Sequence, residues 1–69
     1  MDGLRELRAR RGLTLEAVSL LADVDVATIS RLERGIAEAR PETVVKLARG
    51  LGISARRMHS ILTTDNAAQ

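Results

Sequence analysis

The stretch from Leu13 to Gly35, Leu-Thr-Leu-Glu-Ala-Val-Ser-Leu-Leu-Ala-Asp-Val-Asp-Val-Ala-Thr-Ile-Ser-Arg-Leu-Glu-Arg-Gly, limits what this chain can fold into more than any other. Thr14 stands where an N-cap belongs, its hydroxyl able to accept from the free amides of the next turn. Leu13 before it and Val18 after it have the spacing of a hydrophobic staple. The spacing predicts a helix from about Leu15 to Ala22. Asp23 follows at a sharp turn, and aspartate is one of the few non-glycine residues that tolerate left-handed backbone. Asp25 is a second N-cap, opening a helix from Val26 to Arg34 with Ile29 and Leu32 on one face. Gly35 sits where helices commonly end by turning left-handed. Two helices joined so tightly cannot lie side by side, so they must cross at a steep angle.

The rest of the chain reads as further helices around this pair. Asp2 can cap a helix over about 2–11, with Leu4 and Leu7 turned inward, Arg5, Glu6, Arg10 and Arg11 outward, and Gly12 closing it. For those arginines the plain reading is a solvated face with positive charge near a helix C-terminus. After the connector Ile36 to Arg40, Pro41 fits the first position of a helix over about 41–50, where Val44 or Val45, Leu47, Ala48 and Leu51 repeat at helical spacing and Gly52 stops the chain. Ser54 caps a fifth helix over about 55–62, whose Met58, Ile61 and Leu62 form an apolar stripe read as core and dimer surface. The tail 63–69 has no pattern and is expected to be disordered. The expectation is an all-α, compact five-helix domain over 1–62, with no strand and no internal repeat.

Composition narrows the function. Sixty-nine residues suffice for one small core but not for a catalytic cleft with its supporting shell. The hydrophobic fraction of 45% contains no aromatic ring, so the core must be built of Leu, Val, Ile, Ala and Met. Without cysteine there is neither a disulfide framework nor a thiolate metal site. No apolar run nears the ~20 residues of a membrane span, and the N-terminus lacks the regions of a signal peptide, so no membrane role and a cytoplasmic, nucleoid-associated location are expected. His59 is the lone histidine, its neighbour Ser60 lacks the spacing of a nucleophile and base, and no phosphate loop or metal cluster is present. No enzyme, no metal and no cofactor are expected. The net charge is only +2, but every basic residue except Lys46 is an arginine, which forks onto phosphates and stays charged.

The runs Leu13-Thr14, Ala22-Asp23-Val24-Asp25, Ala27 to Gly35, Pro41-Glu42-Thr43, Lys46-Leu47-Ala48 and Leu51-Gly52-Ile53-Ser54 together resemble the Cro/repressor-type helix-turn-helix family of phage repressors, controller proteins and antitoxins. The resemblance covers roughly Leu4 to Leu62. Its most specific part is Ile-Ser-x-x-Glu-x-Gly at Ile29 to Gly35. It implies a repressor-like fold in which the second motif helix enters the major groove of double-stranded DNA. By motif position Val26, Ala27, Thr28, Ser30 and Arg31 face the bases, with Arg31 suited to guanine O6 and N7. Arg10, Thr14, Leu15, Arg34 and Arg40 are the expected phosphate contacts. The resemblance also implies an ion pair between Arg8 and Glu33 that orients the reading helix, and a homodimer.

Three positions depart from the family pattern. Leu15 replaces a glutamine that commonly touches the DNA backbone, leaving main-chain amides for that contact. Asp23 replaces the turn glycine and adds a negative charge. Leu20 and Leu21 stand where polar residues are usual, which means either packing under a shifted helix or a sticky patch for a protein partner. Two functions follow: a dimeric sequence-specific regulator, repressor or controller, acting at an inverted repeat; or an interaction module on the same scaffold, such as an antitoxin or a phage factor binding a host protein, that reads DNA weakly.

Overall fold

The computed structural model describes residues 3–67, with side chains over 3–65. It holds five helices, α1 (Leu4–Arg10), α2 (Leu15–Ala22), α3 (Val26–Glu33), α4 (Pro41–Leu51) and α5 (Ala55–Ala67), and no strand among the described residues. The expected cap at Asp2 lies outside the described residues. The caps within them are local hydrogen bonds. Thr14 Oγ1 accepts from Ala17 N–H at 3.0 Å, Asp25 Oδ2 from Thr28 N–H at 3.0 Å, and Ser54 Oγ from Arg57 N–H at 3.1 Å. Each takes one of the amides that a helix start leaves unpaired.

The core is one cluster drawn from all five helices: Leu4 and Leu7, Val18 and Ala22, Ile29 and Leu32, Val44, Leu47, Ala48 and Leu51, Met58 and Leu62. Met58 is fully enclosed and Leu62 is buried, so both are spent inside the monomer and neither is open to a second chain. Of the three expected dimer residues only Ile61 keeps partial exposure. An apolar stripe on a sequence shows that a face is covered without showing by what.

A core without rings leaves narrow gaps between helices, and α2 and α4 close theirs by backbone contact. A Cβ on Gly50 would stand 2.9 Å from the Ala22 Cα and amide nitrogen and from the Leu21 carbonyl carbon. Backbone cannot rotate away as a side chain can. Gly50→Ala is therefore expected to separate the two helices at a strain of about 1–3 kcal/mol. The better helix propensity of alanine returns about 1 kcal/mol. The net expectation is a loss of about 1 kcal/mol, read as a lower urea midpoint with an unchanged slope. A gain in stability would show that the contact relaxes freely.

The turn between α2 and α3 is held by Asp23, whose φ of 58° and ψ of 46° make it the one non-glycine residue in left-handed backbone among those described. Its N–H donates to the Ser19 carbonyl at 2.9 Å, and Lys46 Nζ of α4 reaches its carbonyl at 3.5 Å. Glycine would hold this conformation without the steric cost of a Cβ, partly offset by its greater freedom when unfolded. Asp23→Gly should thus raise stability by about 0.5 kcal/mol, a shift of about 2–4 °C in thermal midpoint for a domain of this size.

The fifth helix departs from expectation. It continues to Ala67, five residues past the expected end at Leu62, where a disordered tail was foreseen. Polar residues hold the extra turns. The hydroxyls of Thr63 and Thr64 donate back to the carbonyls of His59 and Ser60 at 2.8 and 3.0 Å, and the Asp65 carboxylate accepts from the Leu4 N–H at 3.0 Å.

Candidate nucleic-acid interface

Helix α3 turns Ile29 and Leu32 into the core, which fixes what its other side can offer. Ala27, Arg31 and Arg34, spaced at i, i+4 and i+7, are exposed along one stripe. Val26 and Ser30 lie on the flank of that stripe and are half-buried, as is Thr28 beside it. The five expected base-facing residues therefore split, with Ala27 and Arg31 outermost.

A short polar relay runs along the start of this stripe. The Thr28 hydroxyl donates to Asp25 Oδ1 at 2.7 Å and accepts from Arg31 Nη2 at 3.4 Å. Asp25 is held below the usual carboxylate range, first by the Thr28 hydroxyl, then by the Thr28 N–H, with Arg31 adding a smaller attraction. In a fold that favours the ionised form, that contribution is present above the ordinary carboxylate pKa and is lost as the pH falls through the lowered one. The guanidinium is thus drawn toward the N-terminal end of α3 while staying exposed. The bond to Thr28 is long, so little has to be given up when Arg31 turns outward.

At its far end α3 is tied to α1. Glu33 accepts from Arg8 Nε through Oε2 at 2.6 Å and from Arg8 Nη2 through Oε1 at 3.0 Å, a two-point fork that fixes direction as well as distance. Arg8 Nη1 donates to the Leu13 carbonyl at 2.9 Å, so the same guanidinium also holds the chain entering α2. The side chains are 17% exposed for Arg8 and 7% for Glu33. The hydrogen bond to Glu33 raises the Arg8 pKa further above its already high value. Nothing in the spacing of the sequence pointed to the Leu13 contact.

The expected phosphate contacts fall in four places. Thr14 is exposed at the start of α2, its oxygens already accepting from Ala17 and Val18 N–H, while the amides of Leu15 and Glu16 have no acceptor within the helix. The Leu15 side chain packs against the core, so its main-chain amide is what this position has left to offer an anion. Arg34 is exposed with Nε toward the Ser30 carbonyl at 3.4 Å, and Arg10 and Arg40 are exposed on other elements. Arg11, which carried no assigned role, donates through Nη1 to the Leu51 carbonyl and so caps the end of α4.

Leu20 and Leu21 are 85% and 55% exposed. Helix α2 is not shifted to cover them, so packing does not account for the pair. His59 is exposed on α5 at the edge of a shallow groove shared with Glu38, Ala39, Val44, Leu62 and Thr63. No group of three or more His, Cys, Asp or Glu side chains is arranged for a metal among the described residues, and no helix there is long and apolar enough to cross a membrane.

No curated protein and no solved structure is matched by the chain. A family model described as helix-turn-helix matches residues 4–57, which takes in α1 through the first turn of α5 and thus both motif helices and the Arg8–Glu33 tie. The chain belongs to the Cro/repressor-type helix-turn-helix family, a family of DNA-binding transcription regulators.

Proposed function

We propose that this protein is a sequence-specific regulator that binds double-stranded DNA as a homodimer at an inverted repeat, and that it represses by covering a promoter. The observation that carries the reading is the exposed stripe of Ala27, Arg31 and Arg34 on a helix anchored on both sides, by Ile29 and Leu32 in the core and by Glu33 on Arg8. Arg31 reads a guanine through O6 and N7, Ala27 and Val26 admit close approach or touch a thymine methyl, and Thr28 and Ser30 lie at the edge of the contact. The α2 amides near Thr14 and Leu15, with Arg10, Arg34 and Arg40, hold phosphates and set the register. One reading helix touches few bases. Two copies about 34 Å apart double the readout, and Ile61 is the expected stripe residue still exposed enough to contribute to such a pairing. A cytoplasmic, nucleoid-associated location follows from this role.

The exposed pair Leu20 and Leu21 favours a second reading, in which α2 docks a protein partner and DNA is read only weakly, as an antitoxin or a phage factor would do. Selection of bound duplexes from a random library at near-physiological salt separates the two, because that salt suppresses nonspecific binding. Enrichment of an inverted repeat with half-sites one turn apart supports the regulator. A folded protein that enriches nothing supports the interaction module.

A further inference from the structure

Helix α1 begins without a cap of its own. Its N-cap is Gly3, in extended backbone and with no side chain to offer, and the first helical N–H, that of Leu4, is taken instead by Asp65 from the far end of the chain at 3.0 Å. The fit is close. Gly3 is buried, and a Cβ there would fall on the Asp65 carboxylate, 2.8 Å from its Cγ. Leu4 itself is completely enclosed. The carboxylate holds this place against its surroundings: burial pushes its pKa up, Glu6 of α1 and Glu33 of α3 push the same way, and only the Leu4 N–H opposes them. The site therefore uses the oxygen chiefly as an acceptor, and the Leu4 N–H is what favours the charge there.

Leu4 and Arg8 are one turn apart on the same face of a helix of only seven residues, so whatever fixes the start of α1 also fixes where Arg8 stands. We propose that Asp65 is a positioning residue for the reading helix: by accepting the Leu4 N–H it sets α1, and α1 presents Arg8 to Glu33 at the end of α3. The path is short and continuous, from α5 to α1 through one hydrogen bond and from α1 to α3 through the fork. It deepens the reading of α3 as the DNA-reading helix and rests on it for its consequence in binding.

The test compares the full chain with Asp65→Ala, which leaves the Leu4 N–H without its acceptor, and Asp65→Asn, which keeps an acceptor oxygen and drops the charge. Gly3→Ala serves as a second disruption, displacing the carboxylate with its charge intact, should Asp65→Ala fail to fold. Two quantities are read at a temperature where each protein is folded by circular dichroism: hydrogen exchange of the Arg8 Nε–H and of the α3 amides, and affinity for the duplex that the unaltered protein selects. Asp65→Ala is expected to speed Arg8 Nε–H exchange by about tenfold and to weaken the duplex by about tenfold, within the range produced by residues that touch no ligand. Asp65→Asn restores both. In a Glu33→Gln background, where one acceptor oxygen remains for Arg8, the effect of Asp65→Ala on the duplex should diminish, because the two act through one tie.

Unchanged Arg8 exchange in Asp65→Ala, no restoration by asparagine, or an undiminished effect in the Glu33→Gln background would each overturn the proposal. An unaltered protein that selects no duplex overturns the DNA reading and the consequence for binding. The exchange measurement still decides whether Asp65 sets the Arg8–Glu33 tie.

Discussion

Replacing Arg8 by alanine is expected to lower the stability of this domain by about 3 kcal/mol. Domains of this size have roughly 3–10 kcal/mol in total, so the variant should be partly unfolded at moderate temperature. The loss has two parts. The Leu13 carbonyl loses its donor, and Glu33, only 7% exposed, keeps a carboxylate with no cation opposite it. Removing one partner of a buried pair costs about 3–5 kcal/mol, and the partial exposure of Arg8 puts this pair at the lower end. The double variant Arg8→Ala with Glu33→Gln discriminates between these parts, because it removes the stranded charge without restoring any contact. It should recover about 1 kcal/mol of the loss. Urea titration followed by helical circular dichroism measures both, since the chain has no aromatic ring for fluorescence. If the double variant is no more stable than Arg8→Ala alone, the stranded carboxylate is not what makes the deletion costly.

Arg31→Ala should leave the fold intact, because the side chain is exposed and its bond to Thr28 is long. Its effect belongs to binding. A bidentate contact to guanine contributes about 1–3 kcal/mol of discrimination, so each half-site should lose about tenfold in affinity and a two-copy complex about a hundredfold. The pattern matters more than the size. Loss of a base contact relaxes preference at one position in each half-site, whereas loss of a phosphate contact weakens every duplex alike and flattens the salt dependence. Competition between duplexes differing at single positions reads the difference, and uniform weakening would assign Arg31 to the backbone.

How much of this the sequence disclosed depends on the range of each interaction. The α2–turn–α3 unit was legible because its signals are local. Thr14 caps Ala17 and Asp25 caps Thr28 three residues on, and Asp23 adopts the left-handed turn that its position demanded. The Arg8–Glu33 tie spans 25 residues and came only through family resemblance, since no local pattern joins those positions. Asp65 lies 61 residues from the amide it caps, in a polar segment without periodicity, so its continuation as helix had no readable signal. Gly50 was hidden for a different reason: a close helix approach is written in the absence of a side chain, and the same glycine would suit a helix end. For Met58 and Leu62 the stripe gave the direction of burial, but core and partner chain ask for the same residues.

The contact between Leu4 and Asp65 makes the order of the helices nearly circular. The chain leaves the start of α1, passes through the reading unit, and returns on α5 to within a hydrogen bond of where it set out. Sequence order is therefore only one way of threading this arrangement. With the two ends bridged by a short polar linker, new termini can be opened in the Ile36 to Arg40 connector, which is exposed at Ile36, Glu38 and Arg40 and lies between helices. Such a rearranged chain would place α1 and α5 next to each other in sequence as they already are in space. It would also separate two properties the natural order holds together, the stability of the helix cluster and the speed with which its distant ends find one another.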